Sequence, residues 1–219
     1  MNKIKPLKQK LTLVFGSLFF PFTIPEIFEA LKKREYIIAP LNQPIPMGQR
    51  IYVEGRIGMK NNCVVEISDS RKSIGIEGES IEKILETTKE IIQISADDFN
   101  TTVQDIDYAE FISDILIISQ DDPIQTIQNF DSGYELFNEI FDIDVAPYSI
   151  KIVPKNTNPS SKNWFDILLE PRILKPNSEY FVHIIYRNEN LENVMEFTNK
   201  SDLKILSIVK LIGDQIAKS

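Results

Sequence analysis

The chain has 219 residues, 42% of them hydrophobic and 10% aromatic, which supplies packed cores and excludes disorder throughout. One cysteine, Cys63, excludes an internal disulfide and a cysteine-rich zinc site, and one histidine, His183, excludes a histidine-rich metal site. The net charge of −8 is uneven: +3 before Asp97, −13 from Asp97 to Asp144, and +2 after it.

Lys3, Lys5, Lys8 and Lys10 precede the apolar run Leu11–Ile24, in the manner of a signal peptide. Pro21 and Pro25 interrupt the run and no A-x-A pattern follows. It is also shorter than the roughly 20 apolar residues needed to span a bilayer. The reading is a basic N-terminal arm leading into a buried strand, Leu11–Phe20, in a soluble cytoplasmic protein with no membrane partner. Thr23-Ile24-Pro25-Glu26 then predicts a helix start, with Thr23 as the cap and Ile24, Ile27, Phe28 and Leu31 on one face. Tyr36–Ala39 predicts a short strand, and Pro40, Pro44, Pro46 and Gly48 a loop.

Arg50–Ile57 alternates, with Ile51, Val53 and Ile57 on one side and Arg50, Tyr52, Glu54 and Arg56 on the other. Asn61-Asn62 predicts a hairpin turn into Cys63–Ile67, and Asp69–Lys72 a turn into Ser73–Glu77. Ile81, Ile84, Leu85, Thr88, Ile91 and Ile92 mark the buried stripe of a helix. The second half repeats much of this order. It offers a strand within Asp105–Ser119, a helix opened by Asp122-Pro123 with a break or restart at Asp131-Ser132-Gly133, and strands at Tyr148–Val153, Trp164–Glu170 and Glu179–Arg187. Leu191–Ala217 predicts a helix in two pieces split near Asn199–Ser201.

The expected fold class is therefore α+β, as two tandem units whose antiparallel sheets carry helices on one face. The first unit is 1–96, with the basic arm; the second is 97–219, beginning with the acidic segment. A single sheet of eight or more strands is the alternative. In Asn62–Ile94, a strand, a tight basic turn, a second strand with glycine and a capped helix follow one another. This stretch, and the order of elements in both halves, resembles the TATA-box-binding protein and its fold relatives. That resemblance implies a saddle-like sheet. The family reads the minor groove with asparagines, branched residues and inserted phenylalanines on the open face. Here the matching positions hold Arg50, Tyr52, Glu54 and Arg56, and Phe181, His183, Ile185 and Arg187, with no phenylalanine pair where a wedge belongs. No functional residue is carried over.

Thirteen carboxylates between Asp97 and Asp144, with no lysine or arginine between Lys89 and Lys151, suggest either a docking face for a basic partner or a solvated rim. Asp105/Asp107 and Asp142/Asp144 are Asp-x-Asp pairs, but neither sits in a glycine-centred calcium loop, so no metal site is assigned. No cofactor motif and no catalytic residue is assigned either. The second candidate surface is a polar sheet face with Arg50, Tyr52, Arg56, Trp164, His183 and Arg187. The expected function is non-enzymatic binding or regulation through these two surfaces, with a protein partner: either a basic surface or another copy of the chain. Nucleic-acid binding on a saddle is the second reading, disfavoured by the carboxylates. A hydrolase or transferase using His183 beside Asp166 or Glu170 is the third.

Overall fold

The structure, a computed structural model, describes residues 2–17, 20–22, 25–38, 54–130, 138–141 and 143–216. Nine strands form one sheet: β1 (Lys3–Phe15), β2 (Ile37–Ile38), β3 (Glu54–Lys60), β4 (Cys63–Ser68), β5 (Ser73–Gly78), β6 (Ile106–Ile118), β7 (Ile150–Ile152), β8 (Trp164–Pro171) and β9 (Glu179–Asn188). The helices are α1 (Glu26–Lys32), α2 (Ile81–Phe99), α3 (Pro123–Gln128), α4 (Asn138–Phe141) and α5 (Leu191–Ile216). The strand order is β2-β3-β4-β5-β1-β6-β9-β8-β7, and every pairing is antiparallel. The fold is thus α+β on a single continuous sheet, with β1 beside β6 at its middle. Helix α2 runs on to Phe99, past the boundary expected after residue 96.

Local chemistry accounts for the elements. Asn61 and Asn62 both take positive φ, 53° and 62°, which is the two-residue hairpin geometry that asparagine tolerates. Lys72, at φ 49°, closes the second turn through its N–H donating to the Asp69 carbonyl. Ser80 caps α2, Asp122 caps α3 by accepting from the Ile124 and Gln125 N–H groups, and Asn190 accepts from the N–H groups of Glu192 and Asn193 at the start of α5. At α1 the residue before the helix is Pro25, with no side-chain cap; Thr23 and Ile24, Ala39 and the predicted loop after it, Arg50–Val53 and the Asp131–Gly133 break lie outside the described residues.

Three expectations need correction. The lysine-rich N-terminus is not an arm: Lys3 to Lys10 belong to β1, paired along β6. A bulge between Pro6 and Lys8 inserts one residue and resets the two-residue alternation. As a result Lys3, Lys5, Lys8 and Lys10 stand opposite Ile118, Leu116, Asp114 and Ile112, all on one face. The strand also stops at Phe15 rather than Phe20, and Phe20 and Phe22 fold back to meet Phe15 and Phe99 edge-on at 5.0–6.3 Å. The last helix is one piece, because Thr198 and Ser201, both buried, return their hydroxyls to the Val194 and Thr198 carbonyls within the helix.

Helix α1 touches α2, α2 touches α5 and α5 touches α3, so these four form one layer on one side of the sheet. The core lies between that layer and alternate strand residues, among them Leu11, Leu13, Ile74, Ile76, Phe111 and Val182. On α5, Asp202 is half-buried with no hydrogen bond or ion pair among the described residues, and burial raises its carboxyl above the ordinary range. A carboxyl whose pKa rises on folding favours the folded state when protonated; stability therefore falls as pH climbs from the unfolded-state value through the raised one. Asp202→Asn is expected to raise the melting midpoint at pH 7, with the gain disappearing in acid; equal midpoints for the two proteins at pH 7 would contradict this.

Candidate functional site: the open face of the sheet

The register places one row of side chains across seven strands on the face away from α1, α2, α3 and α5: Arg56, Glu66, Gly75, Thr12, Glu110, Arg187 and Trp164. Six strand spacings of about 4.8 Å make the row roughly 29 Å long. Three of the expected surface residues, Arg56, Arg187 and Trp164, therefore share one line. His183 lies two rows along, opposite Asp114 on one neighbour and Leu168 on the other. Arg50 and Tyr52 lie outside the described residues.

The charges of this row are paired. Glu110, only 4% exposed, accepts from Nε and Nη2 of Arg187 at 2.9 and 2.6 Å. Arg187 also lies over the Tyr108 ring, 5.2 Å from its centroid. Lys10 reaches across β5 to bond Glu66. It can do so because position 75 is glycine: a Cβ there would stand 2.5 Å from Lys10 Cε. Burial, the largest single influence, works to raise the Glu66 carboxyl, but the bonds and charges of Lys10 and Arg56 together outweigh it and the group sits below the ordinary range. With Glu66 and Glu110 so engaged, Arg56 and Arg71 lean on them only at 3.6 Å, and their side chains stay 66% and 59% exposed. Between these pairs lies a trough of about 330 Å³ floored by Gly75, Thr12 and Ser73.

His183 Nδ1 lies 2.6 Å from Asp114 Oδ1, so its partner is not Asp166 or Glu170. The register explains the difference: Asp166 stands opposite Ile185 and Glu170 opposite Phe181, and Asp166 is held at 2.8 Å by Lys151. The positions flanking the pair on this face are Lys8, Ile112, Leu116, Leu168, Phe181 and Ile185, which bring one ammonium group and no hydroxyl or thiol to it. Cys63 is buried in the core on the opposite side.

The described carboxylates of the acidic segment do not share one surface. Asp97 and Asp98 end α2 and pair with Arg34 of the α1 end at 3.2 and 2.6 Å. Asp105 closes a capping box with Thr102, Asp107 meets Lys162 at 2.6 Å, and Glu110 and Asp114 belong to the open face. Asp122 lies beyond the far end of β6, a strand of 13 residues and so roughly 40 Å long. The counter-charges come from residues far off in the chain, which is why the segment reads as unneutralised in one dimension. Among the described residues, no group of three or more His, Cys, Asp or Glu side chains gathers to hold a metal ion, and no helix is long and apolar enough to cross a membrane.

No protein-family model and no curated protein matches the chain. Among solved structures, the rolling circle replication initiator protein from Geobacillus stearothermophilus aligns over 91% of this chain and 80% of that one, at 10% identity and a TM-score of 0.30. A likeness of that size carries no argument about fold or activity.

Proposed function

We propose that this is a non-enzymatic binding protein that docks another protein on the open face of its sheet. The row from Arg56 to Trp164 carries this reading. It places two arginines and the single tryptophan of the chain on the face away from helices α1, α2, α3 and α5. Arginine and tryptophan are the side chains that most often anchor protein interfaces. The row, taken with the seven residues along β8 from Trp164 to Glu170, spans roughly 29 by 20 Å, or about 600 Å². That approaches the roughly 800 Å² that one side of a standard interface buries. The face carries Glu66, Glu110, Asp114 and Asp166 among its cations. A phosphate backbone is held by cations free of such carboxylates, so a protein of mixed charge suits this face better than nucleic acid. Among the described residues, no hydroxyl or thiol stands beside His183 in the register, which favours binding over hydrolysis.

We also read the sheet as two similar units meeting at β1 and β6. Outward from the middle, one side runs β1, β5, β4, β3, β2 and the other β6, β9, β8, β7, which are the first, last and then preceding strands of each half. This order supports the tandem reading and the saddle-like resemblance.

A photo-crosslinking side chain at Arg56, compared with one at Glu86 on the exposed side of α2, tests the binding surface. A discrete adduct from position 56, absent from position 86 and lost on Arg71→Glu, is the expected result. An adduct with the chain itself would make the partner a second copy. Equal labelling from the two positions, or none, defeats the proposal.

A further inference from the structure

On the opposite side of the sheet, α5 packs on β6 and β9 and leaves the strip of β7 and β8 beside it as a groove of about 590 Å³. Its walls are Ile152, Phe165 and Ile167 from the strands and Ile208 from α5. At its base Tyr186 and Phe197 stack with ring centroids 3.9 Å apart and planes 5° from parallel. The volume falls within the roughly 300–1,000 Å³ of small-molecule sites, and the mostly apolar lining with few polar groups matches them too.

Two charged residues border the groove, and they are not equivalent. Glu196 is engaged by Lys200 at 2.7 Å, which, with a weaker pull from the Lys204 charge, holds its carboxyl below the ordinary range. Lys204 makes no hydrogen bond or ion pair among the described residues and lies 5.7 Å from the centroid of the Phe197 ring. An apolar wall thus ends at an ammonium group whose neighbouring carboxylate already has a partner. A polar solute would find little to bond along Ile152, Phe165 and Ile167, and an apolar cation would meet Lys204. We propose that the groove binds a small amphiphilic carboxylate: an alkyl chain or fused ring laid along the aromatic base, with its carboxylate on Lys204. This site is separate from the open sheet face and does not depend on the reading of it.

The purified chain, titrated with the fluorescent fatty-acid probe dansyl-undecanoic acid and then with oleate as competitor, tests the proposal. Saturable binding displaced by oleate is expected. Lys204→Ala, an exposed position whose change leaves the core untouched, should weaken it roughly tenfold, as loss of a charge-assisted contact does. The neutral methyl ester of oleate should compete equally against both proteins. Ile208→Trp should fill the groove and abolish binding, with its circular dichroism spectrum checked for intact fold. No saturable binding overturns the proposal, and so does binding indifferent to both substitutions. A concentration-dependent dimer broken by Ile208→Asp, with no probe bound, would overturn it by assigning the groove to a second copy.

Discussion

Phe111→Ala is expected to lower the free energy of unfolding by about 4 kcal/mol, in one transition for the whole molecule. Phe111 is 0% exposed on β6, flanked by Leu11 of β1 and Tyr186 of β9, with Phe197 of α5 edge-on at 6.4 Å. Its ring thus joins strands from both halves of the chain to the helix layer. Truncation removes the transfer free energy of the ring and leaves a void that strands hydrogen-bonded on both sides can close only in part. Urea unfolding followed by far-ultraviolet circular dichroism reports both halves, and the fluorescence of Trp164 reports the second alone. Coincident midpoints, shifted together by the substitution, are expected. Separate midpoints would mean that the β1–β6 seam does not couple the halves.

Arg187→Ala is expected to destabilise by about 3–4 kcal/mol, because it strands the buried Glu110 carboxylate. Of the described cations only Arg71 would remain paired with it, at 3.6 Å and 59% exposed, so solvent screening would leave little of that attraction. The contrast between the two arginines is the useful part: Arg71→Ala should change stability by less than about 1 kcal/mol. Glu110→Gln in the Arg187→Ala background should recover about half of the loss, since an amide tolerates the site better than an unpaired charge. A double-mutant cycle in urea measures all four corners. Additive losses for Glu110→Gln and Arg187→Ala would show that the pair contributes nothing beyond its packing.

Much of the sheet could be read from residues one at a time. The Asn61-Asn62 turn, the stretch Cys63–Ile67 and the strand containing His183 follow from local turn chemistry and two-residue alternation, and these coincide with β4, its hairpin and β9. Alternation also put Phe181, His183, Ile185 and Arg187 on one side, as they are found. The lysines of β1 could not be read this way, because a one-residue bulge shifts the period midway and hides the common face of Lys3, Lys5, Lys8 and Lys10. The pairing partners were hidden for another reason. His183 can only be matched with Asp114 once β6 is known to be its neighbour, 69 residues back, and chain order alone brings β8 to mind first. The acidic segment misleads similarly: Arg34, Lys162 and Arg187 reach its carboxylates through tertiary contacts. The row through Gly75 had a signal in principle, a glycine inside an otherwise regular strand, which marks a close approach by another group.

The seam at the middle of the sheet also constrains how the molecule is made. Thr12 finds its neighbour Glu110 only after nearly a hundred further residues have left the ribosome, so β1 must wait with one side bare while β2 to β5 assemble. Its outer portion, Lys3 to Lys8, reaches past the end of β5 and depends on β6 alone. An idle strand border of this kind invites pairing with a neighbouring nascent chain. Pro6, which lacks an N–H, the bulge after it and the flanking lysine charges each discourage that encounter. The lysines that line the finished surface would thus have an earlier duty, keeping half-made molecules apart during translation.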